Sequence, residues 1–369
     1  MTLNDFIAAN GTKWVNQRRA FHRNAELGFT EYATAAHIAS ELETLGYSVS
    51  TGAEVMESDS MRGRPTADAI ARRMATVTEP NQAQWVKAMG AHGQTGVVAE
   101  LKRGDGPVIA LRFDIDALPI QEAELPAHRP SAEGFASMNA CVMHACGHDG
   151  HAAIGLGVAQ WCAHPASDWR GTLRLIFQPA EEGGRGAKAM ADAGIADDVD
   201  YFFAAHLGCG LGSRQIATAA VGMLYSTKLD VRFRGTSAHA AGNPHEGRNA
   251  LLAGANATMN LHAISRHPSG NSRINVGKMV AGQGRNIIAE ECLLEMEVRG
   301  DNETVANFME EQARTILSAA AAMHGVEVDI TVVGQTIGGE CDPQARAAIS
   351  AAAHATDGVD SVLDEWHMT

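Results

Sequence analysis

Two rhythms of apolar residues divide this chain, and together they restrict its fold more than any other feature. Between residues 96 and 208, short apolar runs alternate with helix-like stretches. The runs are GVVAEL (96–101), VIALRFDIDAL (108–118), TLRLIFQPA (172–180) and YFFAAHLG (201–208). Between them lie a small-residue helix over 149–163 and a second helix over 183–194, ended by Gly194. Strands alternating with helices predict a mostly parallel sheet covered on both faces. From residue 225 the order becomes strand (TKLDVRFRG), helix (246–265), strand (SRINVGKMVAG), strand (CLLEMEVRG), helix (VANFMEEQARTILSAAAAMHG), strand (VEVDITVVG). That is the order of a ferredoxin-like α+β unit.

The remaining segments complete the expected plan. Residues 13–45 read as helices stopped at Gly46, with a strand near Tyr47–Ser50. Residues 51–95 form a polar, mixed insertion with one helix in SMRGRPTADAIARRMATV, and it carries no recognisable chemistry. Residues 338–369 read as helical and are assigned back to the first domain. The prediction is therefore an α/β domain over 1–224 and 338–369, with an inserted domain over 225–337. Two domains also suit 369 residues, more than one core usually holds.

Composition removes several function classes. The formal net charge of −14 argues against a broad nucleic-acid surface, which needs clustered Lys and Arg. No apolar run approaches the ~18 residues of a membrane span. The six cysteines form no Cys-x-x-Cys pair, and the N-terminal residues show no signal pattern. A cytoplasmic, reduced protein is the expectation.

The metal-capable side chains fall at strand ends: Asp114 and Asp116, Cys146 and His148, Glu181 and Glu182, and His206. In an open α/β sheet, ligands gather at the carboxyl ends of strands. Thiolate and imidazole suit Zn²⁺ or Mn²⁺. Of two adjacent carboxylates, one can bind metal while the other serves as general base. Singly, each has a plain alternative: a buried Cys beside a capping His, a charged helix N-terminus, a core histidine. Four strand ends supplying the right residue types together predict a dinuclear site, with ions ~3.5–4 Å apart. Asp116 would orient a ligand histidine. His144 and His151, flanking the motif, read as supporting or capping groups.

RFDIDALP, MHACGHDGH, FQPAEEG, AHLG and GTSAHAAGNPHEGRNAL resemble the M20 metallopeptidase family, in its amidohydrolase branch, over nearly the whole length. The resemblance implies a metallopeptidase catalytic domain with an inserted lid or dimerisation domain. It implies two divalent ions, Mn²⁺ or Zn²⁺, held by Cys146, His148, Glu182 and His206. Glu181 becomes the general base and Asp116 the supporting carboxylate. His239 becomes the group that stabilises the oxyanion in the site of a partner protomer. Asn275, Arg285 and Asn286 become substrate-binding residues, an Arg-Asn pair suited to a carboxylate. The implied reaction is hydrolysis of an N-acyl-amino acid, p-aminobenzoyl-glutamate before hippurate-type substrates, by a homodimer or a heterodimer with a paralogous chain.

One departure stands out. The family supplies a late metal-binding histidine, in a His-His-Asn-like context after a Gly-Ser-Glu-Asp stretch. Neither occurs before Thr369, and His367 lies in no matching context. A shortened C-terminal part, weak activity of the chain alone, and association through uncovered sheet edges are the expectations. Two other classes stay open: a non-catalytic protomer that supports a paralogous partner, and a cysteine hydrolase using Cys146.

Overall fold

The computed structural model describes residues 1–367. It divides into two compact units, Met1–Gly212 and Ser213–Thr369.

The first unit begins with helix α1 (Leu3–Arg23), started by a reciprocal Thr2–Asp5 capping box. Helix α2 (Tyr32–Thr44) has no side-chain cap of its own. Instead the buried Glu26 carboxylate accepts the Ala33 and Thr34 amides at 3.2 and 2.8 Å, serving the orphan donors of its first turn. Strand β1 (Ser48–Thr51) leads into the insertion with helices α3 (Ala67–Met74) and α4 (Ala83–Met89). Then come β2 (Val97–Arg103), β3 (Val108–Asp114), the single turn α5 (Arg129–Ala132) and α6 (His148–Ala163). Strand β4 (Gly171–Gln178), α7 (Ala187–Asp192) and β5 (Tyr201–Ala204) complete it.

Its sheet has the order β1-β2-β4-β3-β5. β4, β3 and β5 run parallel, whereas β1 pairs with β2 and β2 with β4 antiparallel. The sheet is mostly parallel, as expected, and mixed only through β2: β1 runs in the same direction as β4, β3 and β5, and β2 alone is reversed. The cause is the tight passage 104–107, which returns the chain beside β4 rather than beside β2. It crosses so closely that a Cβ on Gly171 (φ +108°) would collide with the Pro107 carbonyl oxygen.

Both faces of this sheet are covered. Leu173, Leu175 and Phe177 of β4 join α2 and α6 in one core. Ile176 points into a second core with Phe29, Met56 and Met190. The small residues of α6 permit that closeness: a Cβ on Gly155 would lie 2.6 Å from the Phe177 ring. The 51–95 insertion feeds both layers, Ile70 and Met89 entering the first and Val55, Met56 and Met61 the second. β5 is one of the two edge strands, with Tyr201 and Phe202 exposed.

In the second unit, β6 (Gln215–Ala217) and β7 (Ala220–Val221) precede the ferredoxin-like part. That part is β8 (Tyr225–Arg234), α8 (Ala250–Leu261), β9 (Ser272–Ala281), β10 (Glu291–Gly300), α9 (Glu303–His324) and β11 (Glu327–Thr336). The sheet order is β11-β8-β10-β9, antiparallel throughout. Along β10, Cys292, Leu294, Met296 and Val298 face the helices while the intervening glutamates face away, the alternation of a one-sided sheet.

Residues 338–367 are not all helical. After α10 (Pro343–Ala355) and Gly358 (φ +92°) come β12 (Ser361–Leu363) and β13 (Trp366–His367). These pair in parallel with β6 and β7 and group with the second unit. The last two residues of the segment read as helical, Met368 and Thr369, lie outside the described residues.

Candidate metal centre

The side chains singled out in the first unit converge at the carboxyl ends of β3, β4 and β5. Asp116 lies just past β3. Glu181 and Glu182 follow β4, where the chain turns at Ala180 with a left-handed φ of +49°. His206 follows β5. Cys146 precedes α6, and Gly147 (φ +85°) turns the backbone so that His148 opens the helix.

Donor atoms of Cys146, His148 and His206 lie within 4.8 Å of one another, as do those of His148, Glu181 and Glu182. Asp116 holds the cluster together. Its carbonyl oxygen and Oδ1 lie 2.9 and 3.2 Å from His148 Nδ1. Both are acceptors, so Nδ1 carries the proton and the Nε2 lone pair faces inward. The Asp116 carboxylate also accepts the Glu181 and Glu182 amides, at 3.1 and 3.0 Å. His206 is set the same way: Nδ1 donates to the Leu207 carbonyl at 2.8 Å, leaving Nε2 at 3.4 Å from Cys146 Sγ.

Two atoms test whether the site fits a cation. His148 Nε2 and Glu182 Oε1 are buried with no hydrogen-bond partner. Buried polar atoms are otherwise almost always satisfied. A thiol, two imidazoles with inward lone pairs and two carboxylates around such atoms fit a divalent cation.

The electrostatics agree. Burial opposes charge on His148, but the hydrogen bond to Asp116 and the neighbouring Cys146 thiol outweigh it and push its pKa up to about 11. The neighbouring His148 and His206 imidazoles hold the Cys146 thiol below its usual range, and Cys146 in turn raises His206. Burial raises the carboxyls of both Glu181 and Glu182, helped by Asp114 for the first and Asp116 for the second. The ion-free cluster therefore retains protons that a cation would displace.

Sequence reasoning missed some of the support. The buried Glu31 carboxylate accepts the Ala180 amide at 2.8 Å and fixes the turn before the glutamate pair. Burial raises its pKa, with Asp116 adding to the effect. A glutamate in a helical leader gives no local signal of this. The glutamate pair reaches one centre, with Asp116 accepting both backbone amides. His144 is buried with neither ring nitrogen partnered, and burial lowers its pKa to about 4.

The candidates in the second unit form a different arrangement. His239 bridges to Ile287, and the Ala240 amide donates to the Asn286 carbonyl at 3.0 Å, so His239, Arg285 and Asn286 occupy paired segments. Asn275 stands apart from them in register, on β9 opposite Glu297. All four side chains are exposed. His239 Nδ1 accepts the Ala241 and Gly242 amides at 3.2 and 3.0 Å, so the neutral ring carries its proton on Nε2.

Residues 110–361 match the model of peptidase family M20/M25/M40. The chain belongs to this family. It is 43% identical over 365 residues to one of the subunits of p-aminobenzoyl-glutamate hydrolase from Escherichia coli, covering 98% of this chain and 84% of that protein. It is 41% identical to indole-3-acetyl-aspartic acid hydrolase of Enterobacter agglomerans, covering 98% and 83%. The crystal structure of aminobenzoyl-glutamate utilization protein from Klebsiella pneumoniae superposes with a TM-score of 0.85 at 36% identity, covering 99% and 86%. An M20 hydrolase with its metal-capable residues at the ends of β3, β4 and β5 is the resulting description. Among the described residues no helix is long and apolar enough to cross a membrane.

Proposed function

We propose that this M20 chain hydrolyses the amide bond of N-acyl-amino acids with an acidic amino-acid part, p-aminobenzoyl-glutamate foremost, giving p-aminobenzoate and glutamate. The observation that carries the reading is the gathered donor set, with His148 Nε2 and Glu182 Oε1 buried and unpartnered. The substrate class draws on the relatives above, two of which are named as hydrolases of a glutamate and an aspartate conjugate.

Cys146, His148, Glu182 and His206 are assigned to hold two divalent ions, Mn²⁺ or Zn²⁺. Two are favoured over one because His148 belongs to a thiol-imidazole group on one side and a carboxylate group on the other. When bound, such ions polarise the scissile carbonyl and acidify water near neutral pH. Glu181 is the general base. It takes a proton from the attacking water and delivers it to the amine nitrogen as the C–N bond breaks. Its burial-raised carboxyl suits both halves of that task. Asp116 keeps His148 in the ligating tautomer.

His239 presents an Nε2–H outward from a backbone-anchored ring, a donor suited to an oxyanion. It serves the site of a second protomer, either another copy of this chain or a paralogue. Arg285 and Asn286, with Asn275, bind the substrate carboxylate. Segments 213–224 and 338–367, which pair with each other, complete the catalytic domain, and 225–337 is the lid or dimerisation domain.

The test is release of p-aminobenzoate from p-aminobenzoyl-glutamate, beside hippurate and indole-3-acetyl-aspartate, after chelation and Mn²⁺ or Zn²⁺ add-back. Ion-dependent turnover of the acidic conjugates is expected. Chelator-insensitive turnover, or none on any conjugate with either ion, overturns the reading.

A further inference from the structure

Three imidazoles pack together at this centre. The rings of His148 and His151 stack with centroids 5.2 Å apart, and His151 meets His206 edge-on at 4.7 Å. His151 stands three residues after His148 on α6, on the same helix face. It is 3% exposed. With Asp114 and His148 it forms a third group of metal-capable atoms within 4.8 Å. What this ring does is fixed by its partners.

His151 Nε2 lies 3.0 Å from the Leu207 backbone nitrogen, which donates to it. An amide N–H has only one role, so the Nε2 lone pair is spent there. In the neutral ring the proton is then on Nδ1, which faces Asp114 Oδ2 at 3.7 Å. His148 and His206 carry the same tautomer, but their Nε2 lone pairs are open to the centre. Leu207 links the rings. Its N–H is held by His151, and its carbonyl accepts from His206 Nδ1 at 2.8 Å. One residue is therefore gripped from α6 and in turn orients the imidazole that follows β5.

We infer that His151 is a positioning residue that holds the Leu207 peptide, and through it His206, in the metal-ligating orientation, without ligating an ion itself. Asp114, anchored by Arg112, faces His151 Nδ1 from the end of β3 at 3.7 Å, too far for a hydrogen bond. This rests on the reading of the centre as a metal site. An outer partner of this kind typically changes metal affinity about 10–100-fold.

The experiment is cobalt titration of the chelator-stripped full-length chain, followed by calorimetry and by the visible cobalt absorption. The proteins are wild type, His151→Phe, His151→Gln, His206→Ala and the His151→Phe/His206→Ala double variant. Phe fills the ring volume without an acceptor, whereas Gln places an amide oxygen where Nε2 stood. The inference expects His151→Phe to weaken one ion by about 10–100-fold with its far-ultraviolet dichroism unchanged. It expects His151→Gln to recover most of that loss. The double variant should bind no more weakly than His206→Ala alone, because the brace acts only through His206. Unchanged affinity in His151→Phe, or additive losses in the double variant, overturns it.

A second measurement needs no variant. In cadmium-loaded wild type, ring-nitrogen coupling to the ion is expected at His148 and His206 and absent at His151. Coupling at His151 makes it a ligand and overturns the inference. A wild type that binds no cobalt sinks the metal reading, whereas a wild type that binds alongside an indifferent His151→Phe sinks the brace alone.

Discussion

The candidate residues of the two units differ in how much of their chemistry the fold has already settled. Around β3, β4 and β5 the groups are oriented by contacts behind them: Asp116 on His148, the Leu207 carbonyl on His206, Glu31 on the turn before Glu181. In the second unit His239, Asn275, Arg285 and Asn286 are exposed, and only the His239 ring is fixed, by two backbone amides. Where charge must be held in place before the substrate arrives, burial and paired hydrogen bonds supply the rigidity. Where groups are to meet a substrate or a second protomer, they stay open to solvent. Changes to Cys146, His148, Glu182 and His206 should therefore strike catalysis, metal affinity and stability together. Changes in the second unit should strike turnover or substrate affinity and leave the fold alone.

The largest contrast is expected at Glu181. Glu181→Gln should lower kcat by about 10²–10⁴-fold with bound metal unchanged, read by steady-state kinetics beside metal analysis. A variant of near-normal rate would remove the base from the account. His239→Ala comes next, with kcat down about 10²–10³-fold while metal content and Tm stay at wild-type values. A drop in Tm or metal content there would erase the distinction between settled and open residues.

Stability separates the two units more gently. Buried His22 bridges Asp149 and Glu122 at 2.8 and 2.9 Å. Burial works against its charge, but hydrogen bonds to those carboxylates raise its pKa overall. His22→Ala should cost about 2–4 kcal/mol in denaturant unfolding near pH 6, because two buried carboxylates each lose a partner. The folded pKa lies above the ordinary value, so this stabilisation is present in full below about pH 6.5. It is lost as pH rises through the raised folded value, and the gap between wild type and His22→Ala should narrow in that direction. A gap that widens on alkalinisation would contradict the charge assignment. The mildest effect is at Arg285: Arg285→Ala should raise KM about tenfold for the glutamate conjugate, with unfolding free energy within about 0.5 kcal/mol.

The same contrast explains what could be read from the sequence. The ferredoxin-like part was legible because a one-sided sheet writes its alternation into the chain, as Cys292, Leu294, Met296 and Val298 do. The two-faced sheet has no such alternation. Its strands were visible as apolar runs, but the reversal of β2 was not, since pairing direction depends on the passage 104–107. The strands of 361–367 were masked by the helical stretch before them. At the centre, residue types at strand ends revealed the donors. Their tautomers were hidden, because these depend on the Asp116 and Leu207 carbonyls, and Leu207 carries no chemical signature of its own. Glu31 and the brace through His151 were hidden for the same reason: each acts through a contact that folding creates.

The central claim is that Cys146, His148, Glu182 and His206 surround a pair of ions at the ends of β3, β4 and β5. Anomalous diffraction at the manganese or zinc edge from loaded crystals tests it directly. The account predicts two peaks about 4 Å or less apart, with His148 Nε2 and Glu182 Oε1 among their ligands. Loaded crystals with no peak beside those four residues, or with peaks only elsewhere, would contradict it.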